Sequence, residues 1–191
     1  MSEVESHYRK ENGMVLLELT LKNVMQIFNS LDPSPFHEKD LDDDAEEYIT
    51  DMVEDFPLPT PLALVIYLPP EVCGTEAAAT LEPAIHHHFS YKAAATRRSL
   101  RQLLQRGRIS LAIGIGFIFL TGALSSLLAS VIHSGPGAWL SQGLLIVGWV
   151  AMWEPINIFL YGWWPVRRKM KAFEKIAGME VRVEPYRSGS S

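Results

Sequence analysis

Three histidines stand side by side at His86, His87 and His88, and imidazole is the side chain that most readily ligates a metal or moves a proton near neutral pH. Metal ligands on a helix need i, i+3 or i, i+4 spacing to share a face, as in HExxH, whereas consecutive residues point about 100° apart. The triplet is therefore expected at the surface or partly buried, with no metal and no cofactor. Only convergence with His37 would make these residues the polar centre of a membrane-bound enzyme. Glu154 is the second candidate. It stands directly before Pro155 inside the otherwise apolar "VGWVAMWEPINIFLYGWWP", and an ionisable group at membrane depth is costly enough to be functional by default. If Pro155 breaks the helix, the following residues lie along a membrane interface and Glu154 and Asn157 face headgroups. If the helix continues, Glu154 lies roughly 14 Å from Trp163, near the membrane centre and level with Gly114 and Gly116, where it would contact another helix or couple to an ion. The chain has no GxSxG elbow, no Walker A loop, no HExxH and no dinucleotide GxGxxG after a strand. "GIGFIF" lies inside an apolar span and is no phosphate loop.

Charged clusters supply the remaining candidates. "DLDDDAEEYITDMVEDF" carries Asp42, Asp43, Asp44, Glu46, Glu47, Asp51, Glu54 and Asp55 opposite an apolar stripe. This acidic face is either solvated or a docking surface for a partner or for the chain's own basic segment. Just upstream, "LDPSPF" is a turn by composition, because a residue before proline is pushed away from helix. Asp32, Pro33, Pro35 and Phe36 either only steer the chain from strand to helix or form a rigid exposed recognition loop, and on the second reading they are candidate partner-binding residues together with Asp42, Asp43, Glu46 and Glu47. Arg97, Arg98, Arg101, Arg106 and Arg108 precede the longest apolar run, and Arg167 and Arg168 follow the second. Anionic lipid headgroups would attract each at about 1 kcal/mol.

The elements that must position these residues fall into two compositional populations. The 191 residues are 48% hydrophobic and 20% charged, with a net charge of −5, but charge nearly vanishes over 109–164. Basic residues border the apolar runs and form no stripe of their own, which argues against a nucleic-acid partner. Cys73 is the only cysteine, so neither an intrachain disulfide nor a thiolate zinc site is expected. The opening "MSEVESHYRKENG" lacks the apolar core of a secretion signal. Residues 109–132 satisfy the requirement of about 20 apolar residues for a membrane span, while 138–153 reach only its short end. "HSGPG" between them is an uncharged turn, so a two-helix transmembrane hairpin is expected. Basic flanks and an uncharged turn place both termini in the cytoplasm. In the first helix, Gly122, Ser126 and Ser130, and likewise Ala112 and Gly116, recur at the small-xxx-small spacing that lets helices approach.

Outside this hairpin, "MVLLELTLKNV" from Met14 and "PLALVIYLPP" from Pro61 carry strand patterns. Between them Leu41, Ala45, Tyr48, Ile49, Met52, Val53 and Phe56 recur at helical spacing. The order strand, helix, strand predicts a βαβ unit with parallel strands. "GMEVRVEP" alternates as a third strand would, and two strands alone bury too little to be stable. A further helix is expected to start between Thr75 and Pro83 and run through the histidines toward the membrane.

"FNSLDPSPFHEKDLDDDAEEYI" at 28–49 and "WEPINIFLYGWWPVRRK" at 153–169 resemble a family of small, uncharacterised bacterial inner-membrane proteins, over most of the chain from about Met14 to Val183. The resemblance implies a bacterial inner-membrane setting and transfers no activity or catalytic residue. The expected architecture is α+β: a cytoplasmic module over 1–91, a basic juxtamembrane helix over 92–108, the hairpin and an interfacial segment over 109–164, and a cytoplasmic helix and strand over 165–191. Membrane lipids, and a homo-oligomer or larger membrane complex, are the expected partners. The expected role is that of a non-enzymatic interaction, scaffold or accessory protein. The alternatives are an oligomeric transporter or channel component using Glu154, and a membrane-bound enzyme.

Overall fold

A computed structural model describes residues 8–30, 32, 39–131 and 135–186. It is a mixed α+β structure whose sheet has the order β1-β2-β3-β4. Two compact units divide the chain. One comprises Met1–Ala95 with Lys169–Ser191, the other Thr96–Arg168.

In the first unit, strand β1 (Lys10–Glu11) turns through Asn12 and Gly13 into β2 (Met14–Thr20). Asn12 and Gly13 have φ of 51° and 81°, the doubly left-handed backbone of a tight hairpin, which Asn-Gly adopts at little cost. β2 then pairs parallel with β3 (Leu62–Leu68), and β3 parallel with β4 (Glu180–Pro185). The expected βαβ unit and its third, C-terminal strand are thus present, and β1 is an additional edge. Helix α1 (Asp43–Glu54) makes the crossover between β2 and β3. The short helices α2 (Pro70–Cys73) and α3 (Glu76–Ala79) lead into α4 (Leu81–Val131).

The strand pattern sorts side chains onto two faces. Val15, Leu17, Leu64, Ile66 and Val181 pack beneath Ile49, Met52 and Val53 of α1, Ile85 and Phe89 of α4, and Phe173 and Ile176 of α7 (Trp163–Ile176). Phe89 and Phe173 meet with ring centroids 5.7 Å apart. β3 is apolar nearly throughout, as a strand with parallel neighbours on both sides should be. Leu16, Ala63 and Val65 form a small second cluster on the opposite face. Charged side chains span the strands there: Arg9 reaches Glu11 at 3.4 Å and Glu18 at 3.6 Å, and Arg182 reaches Glu180 at 2.8 Å and Glu11 at 3.7 Å. The Tyr67 hydroxyl donates to Glu18 at 3.0 Å, so burial first, and then this bond, push its pKa up.

The second unit contains the rest of α4, then α5 (Gly135–Ala151), α6 (Trp153–Asn157), a π-helical turn at Ile158–Gly162 and the first residues of α7. The expected break at Pro155 lies instead at Met152. Proline falls in the first turn of α6, where its missing N–H has no intrahelical acceptor to lose, and helical backbone resumes through 155–164. Glycines bring the antiparallel helices together. A methyl group added at Gly107 would lie 2.8 Å from Ile158 Cγ2, one at Gly114 2.8 Å from Met152 Sδ, and one at Gly148 2.6 Å from Thr121 Oγ1. Gly107, Gly114 and Thr121 recur every seven residues and so share one face of α4. Gly116 and Gly122 face open space, and Ser126 and Ser130 are exposed, so the expected small-xxx-small stripes are not this seam.

Candidate functional site

The histidine triplet separates as the helical angle dictates. His87 is exposed, and His86 is half-buried with Nε2 2.8 Å from the Met179 carbonyl. His88 is 2% exposed and is the centre of a polar cluster drawn from three elements. Its Nε2 lies 3.0 Å from Glu46 Oε2 on α1, and its Nδ1 lies 3.3 Å from both the Leu41 amide nitrogen and Asp40 Oδ1. Lys92, one turn further along α4, donates to the same Glu46 oxygen at 2.6 Å.

Local sequence holds this cluster in place. Asn23 caps a 3-10 turn at Val24–Ile27 by accepting from the Met25 amide at 3.1 Å. An antiparallel bridge then joins Phe28 to Leu41, flanked by Asn29 N–H to Asp40 carbonyl and Asp42 N–H to Ile27 carbonyl, both 2.9 Å. Asp32 Oδ2 accepts from the Asp40 amide at 2.7 Å. These bonds make a closed neck directly before α1. Asp42 is the helix cap, its Oδ1 accepting from the Asp44 amide at 3.1 Å.

Burial of Glu46 works against its charge, but hydrogen bonds from Lys92 and His88 outweigh that and hold the carboxyl below the usual range. Lys92 is correspondingly pushed up, first by its bond to Glu46. A proton-bearing Nε2 is what an ionised Glu46 requires, since a carboxylate can only accept. Among the described residues, no buried side-chain nitrogen or oxygen lacks a partner, and no group of three or more His, Cys, Asp or Glu is arranged to hold a metal ion.

The expected acidic docking face is therefore divided. Asp42 and Glu46 serve the fold, while Asp43 and Glu47 are exposed. Pro33, Pro35 and Phe36, with His37, lie outside the described residues. Glu154, 53% exposed, accepts from Arg106 Nη2 at 2.8 Å, and Asn157, one turn on, is also exposed. Gly114 opposes Ala151 and Met152, while Gly107 opposes Ile158 and Phe159. Glu154 lies between these contacts, so Gly114 and Gly116 do not stand level with it. Arg97, Arg98, Arg101, Arg108 and Arg168 are exposed, as is Arg167, whose guanidinium stacks 5.6 Å over the Trp163 ring.

Sequence reasoning missed the His88 cluster. Its local signal is the i, i+4 pair of His88 and Lys92, but Asp40 and Glu46 lie 48 and 42 positions from His88. It also missed the seam, which the seven-residue recurrence of Gly107, Gly114 and Thr121 announces. Two helices, Glu76–Leu128 and Gln142–Ile176, are long and apolar enough to cross a membrane. No known protein family, curated protein or solved structure matches the chain.

Proposed function

We propose that the chain is a membrane-anchored interaction or accessory protein, with the 109–164 region as a transmembrane hairpin and the α+β unit as the part that meets a partner. One observation carries the anchor: the second unit leaves its largest apolar side chains uncovered, Phe119 at 75% and Trp149 at 79% exposure among many. The core helix of a soluble protein buries such residues, and patches of this extent mark a membrane or an interface. The segments before Thr96 and after Arg168 both belong to one compact unit, with β4 paired to β3, which supports both lying on one side of any bilayer the hairpin enters. Basic residues on both flanks make that side cytoplasmic by the positive-inside rule. Trp153, Tyr161 and Trp164, all exposed, suit an aromatic belt near the boundary.

Non-enzymatic function accords with a His88 whose two ring nitrogens are both engaged and whose side chain is 2% exposed. The Arg106 partner of Glu154 favours the anchor over an ion pathway, because a carboxylate paired to a guanidinium is already satisfied. Exposed Asp43 and Glu47 offer a partner a basic-selective surface, and the exposed arginines offer contact to anionic lipid.

Alkaline extraction of membranes from expressing cells, followed by crosslinking and mass spectrometry in native membranes, tests the proposal. The chain is expected to resist extraction and to crosslink to another polypeptide through the α+β unit. Release into the aqueous fraction would overturn the anchor, and crosslinks confined to the apolar hairpin would overturn the assigned docking unit.

A further inference from the structure

We propose that His88 is a proton-operated switch on the neck formed by residues 28–29 and 40–42. Nε2 faces Glu46 at 3.0 Å, and Lys92 at 2.6 Å keeps that carboxylate ionised. An ionised carboxylate accepts only, so Nε2 carries its hydrogen whether the ring is neutral or cationic. Nδ1 is therefore the titrating atom, and it faces two groups of opposite demand at the same 3.3 Å: the Leu41 N–H, a donor, and the Asp40 carboxylate, an acceptor. Neutral His88 accepts from Leu41. Protonated His88 donates to Asp40 instead, and the buried Leu41 amide loses its acceptor.

The surroundings permit the exchange. Asp40 precedes α1 and its side chain is 65% exposed, so the carboxylate that faces the buried ring is itself open to water. α1 contributes Glu46 at the ring and Asp43 beside Lys92, while α4 contributes Lys92 itself. α7 meets α4 here through Phe173 against Phe89, and it carries the Lys169 ammonium 5.5 Å over the Phe173 ring. The carboxylates of Asp40, Glu46 and Asp43 thus stand about the site, with the Lys92 ammonium on Glu46 and the Lys169 ammonium over Phe173. Leu41 belongs to the Phe28–Leu41 bridge, so loss of its amide bond loosens the neck that precedes the acidic helix.

The test is nitrogen-15 NMR of the full chain in lipid nanodiscs, with histidine and leucine labelled, recorded across the pH range in which the fold persists. Neutral His88 should show the Nε2–H tautomer, and its conversion to imidazolium should reduce exchange protection of the Leu41 amide roughly tenfold or more, as expected for one unpaired buried amide. Asp40→Asn, which keeps the side-chain shape and removes the charge, should move the transition to lower pH. An Nδ1–H tautomer, unchanged Leu41 protection through the titration, or a ring that stays neutral until the chain unfolds would each overturn the switch.

Discussion

Glu46 shares one carboxylate oxygen between the Lys92 ammonium and the His88 ring, so its charge is tied to folding. Because its pKa is lowered on folding despite burial, its contribution is present above the ordinary carboxylate range and is lost as pH falls through the lowered value. Lys92 is raised, so its contribution is present below the ordinary ammonium range and disappears as pH rises through the raised value. Glu46→Gln should cost about 1–2 kcal/mol, the lower part of the range for charged hydrogen bonds because Lys92 is partly exposed. It should also flatten the acid limb of chemical-denaturation stability measured against pH; an unchanged limb would remove Glu46 from that dependence. The Glu154 pair with Arg106 is solvent-facing on both sides, and such pairs contribute about 0–1 kcal/mol. Glu154→Gln should therefore leave thermal stability in detergent and cellular function nearly unchanged, whereas a lost pH-dependent activity would restore the ion-pathway alternative. At this scale the sequence was least legible. His88 could be named, but its partners are brought to it by the Phe28–Leu41 bridge, which no local pattern announces.

Elements were more legible where periodicity and burial agree. In α1, Ile49, Met52 and Val53 are buried as their spacing requires, with Leu41 and Phe56 at its flanks, while Tyr48 turns outward. β3 was readable from an apolar run bounded by prolines. β1 was not, since two residues make too short a run, although Asn12-Gly13 is itself a hairpin signal. β4 pairs along its length with β3 and buries Val181. Deleting the chain after Gly178 should consequently make the α+β unit markedly more susceptible to limited proteolysis, while deleting only 188–191 should not; equal resistance would contradict the role of β4. In the second unit, Gly114→Leu and Gly148→Leu introduce side chains where a single methyl group already meets Met152 or Thr121. Each should lower stability in detergent by about 1–3 kcal/mol, as overpacking does. Gly116→Leu enters open space and should be tolerated. A reversed order in thermal denaturation would place the seam on the other stripe.

Across the whole molecule, one α+β unit is assembled from both sides of an apolar insertion. Compositional contrast made that division visible, yet composition cannot say that 169–186 returns to pair with β3; the strand register does. The insertion exposes large apolar residues and is bounded by arginines at each end, which is the basis for an anchor entering and leaving the membrane on one side. Its most direct test is cysteine accessibility in intact cells, in a Cys73→Ser background. Ser90 and Gly178 are exposed positions before and after the insertion, and a side chain at Gly178 meets nothing nearer than 3.8 Å. Single cysteines at Ser90 and Gly178 should both resist a membrane-impermeant maleimide until the membrane is permeabilised, while a cysteine at Ser134, between the two apolar segments in sequence, should react at once. Labelling of Ser90→Cys and Gly178→Cys from opposite sides, or of either in intact cells, would contradict the account.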